Sequence, residues 1–202
     1  MIACISSAAL WGVDGHPVTV EVHVSNGLPG CTLVGLPDAA CREARDRVRS
    51  ALLSAGLPWP QQRTTVNLAP SNLKKSGTGF DLAIAVGLMV ASKQLTADMV
   101  QGMAFFGELG LDGSVRTVDG IVSLVDAVEA ETVVVPVESM RQASLIGRHR
   151  VRGVRNIGQL IQALKGEDSL DVDCGVAPKR VRIEPDLEEV RGQPLARWAV
   201  EV

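Results

Sequence analysis

A short basic loop combines residue types that are suited to binding an anion. The loop reads Lys74-Lys75-Ser76-Gly77-Thr78-Gly79 and precedes an apolar run that predicts a helix. Phosphate is attracted both by lysine side chains and by the free N–H groups at a helix N-terminus. The candidate anion or DNA contacts are therefore Lys74, Lys75, Gly77 and Thr78. The alternative is a plain capping turn, with Thr78 or Gly79 near the cap and Asp81 already supplying negative charge to the first turn.

Two groups of arginines could also contact phosphate. The first group lies on one face of a predicted helix, at spacings i, i+3 and i+7: Arg42, Arg45 and Arg49. The second group alternates along a predicted strand, so that its side chains point one way, and continues just beyond it: Arg148, Arg150, Arg152 and Arg155.

Each arginine group has a second interpretation. The helix arginines could form a solvated face with local pairs such as Asp38–Arg42 and Asp46–Arg49. Like charges on one strand face repel each other unless an acidic partner meets them. That partner could be DNA, another subunit or the acidic C-terminal stretch of this chain.

Cysteine and histidine spacings do not indicate a metal site. The four cysteines include no Cys-x-x-Cys pair, and the three histidines lack the spacing of a zinc site. We therefore expect reduced thiols and no metal in this chain.

The charge of the chain is small and unevenly distributed. The 202 residues have a net charge of −3, which excludes a broadly basic nucleic-acid-binding protein but not a local basic patch. Residues 1–165 carry a net charge of +1, whereas residues 166–202 carry −4. Aromatic residues make up 3% of the chain, too few for a base-stacking platform. The longest apolar run, 82–91, is shorter than the roughly 20 residues of a membrane span. The cysteine pattern and the lack of a charged secretory signal at the N-terminus predict a cytoplasmic location.

Hydrophobic patterning predicts a mixture of strands and helices. The predicted strands are 3–11, 18–24, 31–34, 63–68, 104–111, 114–118, 132–135 and 149–154. The predicted helices are 38–55, 80–93, 119–130, 138–145 and 156–165. Strands dominate the first half and alternate with helices in the second, which predicts an α+β (mixed α/β) domain with a mixed sheet and packed helices.

Three stretches of the sequence resemble one known family. Residues 34–52 read VGLPDAACREARDRVRSAL, residues 66–85 read VNLAPSNLKKSGTGFDLAIA, and residues 106–116 read FGELGLDGSVR. Together they resemble the N-terminal region of the magnesium-chelatase-like AAA+ ATPases of the ComM or YifB type. The likeness extends over nearly the whole chain.

The resemblance implies a fold and a division into domains. Residues 1–166 are expected to form a Lon-protease-like domain with the fold of ribosomal protein S5 domain 2. Residues 167–185 lack periodicity and predict a linker. Residues 186–202 resemble the truncated start of an AAA+ module, because the stretch from Asp186 to Gln193 is similar to the segment before its nucleotide-binding loop.

The same resemblance raises the question of a Ser–Lys catalytic dyad. Aligned with Lon-type segments, the serine position falls on Gly79 and the lysine position on Val122, and neither residue can act as a nucleophile or a base. We therefore expect no catalytic residues. The alternative is a residual peptidase in which Ser71 or Ser76 works with Lys74 or Lys75. Surface lysines of this kind are normally solvated, with no reason for a lowered pKa.

ATP hydrolysis by this chain alone is not expected. A phosphate-binding P-loop requires a Gly-Lys dipeptide, and the sequence has none. The resemblance implies that the intact protein is an ATPase that binds ATP and Mg in its AAA+ module, assembles into a hexameric ring and acts in DNA processing, such as branch migration during natural transformation. This chain is then predicted to be an assembly or DNA-binding module. A purely regulatory subunit interface without DNA contact is the other alternative.

Overall fold

The computed structural model describes residues 2–170. The predicted linker therefore lies almost entirely outside the described residues, and the predicted start of an AAA+ module at 186–202 lies wholly outside them. Within residues 2–170, no helix has the length and hydrophobicity of a transmembrane span.

The described chain begins with three consecutive strands, and helices are interspersed with the later strands. In chain order they are β1 (Ile2–Trp11), β2 (Asp14–Ser25), β3 (Gly30–Val34), α1 (Ala39–Ser54), β4 (Arg63–Ala69), α2 (Asp81–Ala91), β5 (Met103–Phe105), β6 (Glu108–Leu109), β7 (Val115–Arg116), α3 (Ile121–Asp126), β8 (Thr132–Pro136), α4 (Met140–Ala143), β9 (Arg150–Val154) and α5 (Ile157–Leu164).

Seven strands form one mixed sheet in the order β3-β4-β2-β1-β5-β8-β9. The pairs β1–β2 and β2–β4 are antiparallel, whereas β3–β4, β1–β5, β5–β8 and β8–β9 are parallel. A separate two-stranded hairpin joins β6 to β7. The prediction of an α+β domain with a mixed sheet is confirmed.

Alternation along the strands explains how the sheet acquires helices on both faces. The valines of β2 at positions 18, 20, 22 and 24 are buried and pack with α1, α2 and α5 in one hydrophobic cluster. On β8, Val134 joins this cluster, whereas its neighbours Val133 and Val135 join a second cluster with α3 and α4. Helix α2 is buried at every position, as its uniformly apolar sequence predicts.

Three elements differ from the sequence prediction. The predicted strand 104–111 is interrupted at Gly107, which adopts φ 158° and bonds through its own N–H and C=O groups to Gly79 and Leu82. The predicted helix 119–130 is shorter in the structure: Gly120 adopts the left-handed backbone conformation, and α3 begins after it and ends at Asp126. The predicted helix 138–145 contains one short α-helix, α4, between 3-10 turns.

A close approach between β2 and α3 predicts the effect of one substitution. A Cβ atom at Gly15 would lie 2.0 Å from the backbone oxygen of Ser123, a contact that only a backbone shift relieves. We expect Gly15→Ala to lower the free energy of unfolding, measured in urea, by about 2 kcal/mol. Gly30→Ala is the matched strand control, because the nearest atom to its Cβ would be 3.9 Å away. Equal midpoints and slopes for both variants would contradict this close packing.

Candidate functional site

The three sequence motifs meet around the loop that joins β4 to α2, residues 70–80, which we call the central loop. On one side, Lys75 N–H donates to the carbonyl of Leu36 at 3.1 Å, and Asp38 N–H donates to the carbonyl of Lys75 at 2.9 Å. On the other side, Gly107 N–H donates to the carbonyl of Gly79 at 3.2 Å. The central loop therefore connects the start of α1 to the turn before the β6–β7 hairpin.

Asp38 caps α1, as the sequence predicts, and also holds the central loop. Its Oδ1 accepts from Cys41 N–H at 2.8 Å, and its Oδ2 accepts from Gly77 N–H at 3.2 Å. Burial acts to raise the pKa of Asp38, but the bonds from Cys41 and Gly77 outweigh it and lower that pKa. The suggested pair with Arg42 is not formed, since the carboxylate is directed to backbone N–H groups instead.

Lys75 is buried, and the expectation that it is a solvated surface lysine is wrong. Its relative exposure is 0%, and its Nζ donates to the carbonyl of Pro70 within the same loop. Burial lowers the pKa of Lys75. Lys75 is buried because its backbone N–H and C=O groups pair with Leu36 and Asp38, and this pairing turns its side chain inward. Its neighbours Lys74 and Ser76 remain exposed.

Cys41 lies against the same loop and donates a hydrogen bond to it. Its Sγ donates to the carbonyl of Gly77 at 3.0 Å. Burial, together with the charge of Asp38, raises the pKa of the Cys41 thiol to about 12. The thiol therefore stays protonated at neutral pH and serves as a hydrogen-bond donor.

A buried ion pair joins α1 to the first residue of α2. Arg47 Nε and Nη2 donate to the two carboxylate oxygens of Asp81 at 2.7 and 3.0 Å, and Arg47 Nη2 also donates to the carbonyl of Ala40. Leu109 N–H donates to Asp81 Oδ2 at 3.2 Å. Asp81 has 0% exposure, and burial raises its pKa to about 6 against the opposing effect of Arg47.

This ion pair changes the interpretation of the loop as a capping turn. The N-cap of α2 is Phe80, not Thr78 or Gly79, and it makes no side-chain capping bond. Asp81 lies in the first turn as predicted, but its charge is directed to Arg47. Two signals in the sequence point to this pair: Arg47 shares the helix face of buried Ala44 and Ala51, and Asp81 is the one acid in an apolar helix that must be buried.

A cleft of ≈ 240 Å³ lies beside the central loop, and Gly79 borders it. The cleft is lined by Ala8–Leu10 of β1, Ser76–Phe80, Val118, Asp119 and Leu124. A Cβ atom on Gly79 would meet the side chain of Val118 at 3.7 Å. Val122 is not among the lining residues and packs, partly buried, against the second hydrophobic cluster.

The strand arginines do not form the single row that their spacing predicts. Arg148 is not part of β9, because the strand begins at Arg150. Arg148 pairs with Asp126 at 2.7 Å. Arg150 pairs with Glu131 at 3.2 Å. Arg152 lies on β9 and is partly buried, whereas Arg155 follows the strand and donates its N–H to Gln159 Oε1.

The helix arginines are exposed together on α1, as their spacing predicts. The local pair differs from the suggested one, since Asp46 is bound by Arg45 through Nε at 3.0 Å and Nη2 at 3.1 Å rather than by Arg49. Adjacent residues on an exposed helix contribute little through such a pair.

Comparison with known proteins identifies related sequences. A family model described as subunit ChlI of Mg-chelatase matches residues 20–139. An uncharacterized protein of Mycobacterium tuberculosis is 41% identical over 199 residues, which cover 97% of this chain and 40% of that protein. The competence protein ComM of Haemophilus influenzae is 36% identical over 100% of this chain and 41% of its own length. The uncharacterized protein YifB of Escherichia coli K12 is 35% identical over 100% of this chain and 40% of its own length.

The buried carboxylate of Asp81 predicts a pH dependence of stability. A pKa raised to about 6 from 3.8 means that the folded state binds this proton more tightly than the unfolded state. The contribution of this proton to the free energy of unfolding is fully present below pH 3.8 and is lost as the pH rises through 6. The stability of the unmodified chain relative to Asp81→Asn should therefore fall between pH 4 and pH 7, by on the order of 3 kcal/mol.

Urea unfolding at several pH values measures this difference. Asp46→Asn is the control, because Asp46 is exposed and its bond with Arg45 lowers its pKa. The stability of the unmodified chain relative to Asp46→Asn should therefore not fall between pH 4 and pH 7. A relative stability of Asp81→Asn that is independent of pH would contradict the raised pKa.

Proposed function

Because the chain belongs to the family of subunit ChlI of Mg-chelatase, as a domain of the ComM and YifB type, we propose that it is a non-catalytic module of a longer AAA+ ATPase that acts in DNA processing. The chain spans about two fifths of the length of the curated relatives that it matches. The activity and partners of the whole protein are therefore part of this proposal.

The observation that carries the non-catalytic role is the state of Lys75. A Ser–Lys mechanism needs a lysine amine that reaches a serine hydroxyl. Lys75 instead donates to the carbonyl of Pro70 and has no exposed surface, whereas Ser71 and Ser76 are both exposed. Lys74 is exposed to solvent and is not desolvated as a neutral base would need to be.

The proposed domain arrangement follows the sequence resemblance. Residues 1–166 form the Lon-protease-like domain, 167–185 the linker, and 186–202 the start of the AAA+ module. In this arrangement ATP and Mg are bound by the remainder of the protein, and the AAA+ modules assemble into a hexameric ring. One relative is named a competence protein, which supports a role in natural transformation.

Any DNA contact through the central loop depends on Lys74. Of the four loop candidates, Lys75 is buried, and the N–H of Gly77 is already bound to Asp38. Lys74 is exposed and lines a second cleft together with Ser76, which also borders the cleft at Gly79, and Thr78 is partly buried. Outside the loop, Arg148 and Arg150 form solvent-exposed pairs with Asp126 and Glu131, and such pairs are weak.

A peptidase assay tests the non-catalytic role. We expect the purified chain to hydrolyse a fluorogenic peptide or casein at the same background rate as Ser76→Ala and Ser71→Ala, because no lysine base faces either serine. Both serines are exposed, so neither substitution should affect folding. Hydrolysis that is lost in either serine variant would overturn the proposal.

Fluorescence anisotropy with labelled single-stranded and duplex oligonucleotides tests the DNA contact. If Lys74 neutralises one phosphate, Lys74→Gln should weaken binding several-fold for every DNA sequence and reduce the slope of log K against log salt by about one. The matched control is Lys93→Gln, which removes the same charge from an exposed lysine after the end of α2. Unchanged binding by Lys74→Gln would remove the central loop from the DNA interface.

A further inference from the structure

A groove of ≈ 440 Å³ lies at the edge of the sheet where the described chain ends. It is lined by the first residues of β5, β8 and β9 and, on the other side, by Ala163, Leu164 and residues 168–170. Within residues 2–170, β9 pairs only with β8 and is the last strand of the sheet. An edge strand leaves one row of backbone groups available to another segment.

Two arginines and one aspartate, Asp168, are the charged residues that line this groove, so its described lining has a net positive charge. Arg150 and Arg152 are two residues apart on β9, so both side chains lie on the same face of the sheet, and both line the groove. Arg150 contacts Glu131, but both side chains of that pair are 71% exposed, and such pairs are weak. Arg152 makes no ion pair within residues 2–170.

The last described residues also line the groove. Asp168, Ser169 and Leu170 are among the lining residues. The carbonyl of Ser169 accepts from Gln159 Nε2 at 3.3 Å, which ties this stretch to α5. Leu170 packs, partly buried, against the main hydrophobic cluster. Asp171 therefore follows directly after a residue that lines the groove.

The sequence that follows is complementary to β9. It reads Asp171-Val172-Asp173, with two acids at the same spacing as Arg150 and Arg152 and an apolar residue between them, as in Arg150-Val151-Arg152. Residues 167–173 contain four acids and no basic residue. Opposite charges on facing segments of a sheet edge are a stabilising arrangement, whereas the two arginines alone repel each other.

We propose that the groove is the docking surface for residues 171–173 of this chain, with Asp171 and Asp173 bound to Arg150 and Arg152. The contact fixes the direction in which the chain leaves the domain and occupies arginines that could otherwise bind phosphate. A tethered segment has an effective concentration in the millimolar range, which favours it over a free partner. This inference does not depend on the proposed function.

NMR on the full 202-residue chain tests the docking. The heteronuclear NOE of the Asp171, Val172 and Asp173 amides reports whether these residues are ordered on the picosecond to nanosecond timescale. We expect NOE values close to that of Leu170. They should fall when Arg150→Glu and Arg152→Glu are combined, and also when Asp171→Arg and Asp173→Arg are combined, because each double variant opposes like charges.

The charge exchange separates docking from a general loss of structure. The fourfold variant, which carries both pairs of substitutions, should regain the high NOE values, since opposite charges face each other again. The control Arg42→Glu with Arg49→Glu reverses two exposed arginines of α1 and should leave the values unchanged.

Other outcomes would overturn the proposal. Low NOE values in the unmodified chain would mean that the groove is not occupied by this segment. High values that persist in Arg150→Glu with Arg152→Glu would mean that these arginines do not hold it. High values that disappear on dilution would assign the segment to a second copy. Oligonucleotide binding that requires Arg150 and Arg152 but is insensitive to Asp171→Arg with Asp173→Arg would assign the groove to DNA.

Discussion

The buried ion pair between Arg47 and Asp81 is the constraint on which the arrangement of the domain depends. It joins the middle of α1 to the first residue of α2, and Asp81 also accepts the N–H of Leu109 at the start of the hairpin. The carboxylate of Asp81 thus connects all three sequence motifs. Breaking such a buried pair by removing one partner leaves an uncompensated charge, which costs about 3–5 kcal/mol in proteins generally.

Three groups around the central loop that could act as a base, an acid or a nucleophile are used for structure. Lys75 binds the carbonyl of Pro70, Cys41 donates to Gly77, and Asp38 holds the N–H groups of Cys41 and Gly77. A base or nucleophile must instead be positioned with a free site directed at a substrate. These bonds make the central loop a structural junction between α1, α2 and the hairpin.

The apolar alternation of β2 and the capping aspartate of α1 could be predicted because they depend on neighbours in the sequence. The same holds for the fully apolar α2, whose burial follows from its composition. The hairpin could be predicted from Asp112-Gly113, but not its length. The first strand of the hairpin starts only after Gly107, because the backbone groups of Gly107 bond to Gly79 and Leu82. These two residues are distant from Gly107 in the sequence.

The sequence by itself determined the α+β class, most of the strands and the exposed arginine face of α1, because these follow from local periodicity. Only the tertiary structure decided that Lys75 is buried while Lys74 is exposed, and that Asp81 pairs with Arg47 rather than serving the helix dipole alone. It also decided that Arg148 and Arg150 meet Asp126 and Glu131. The physical reason is that desolvation and charge pairing depend on which segments pack together, and two adjacent lysines carry no local signal of that packing.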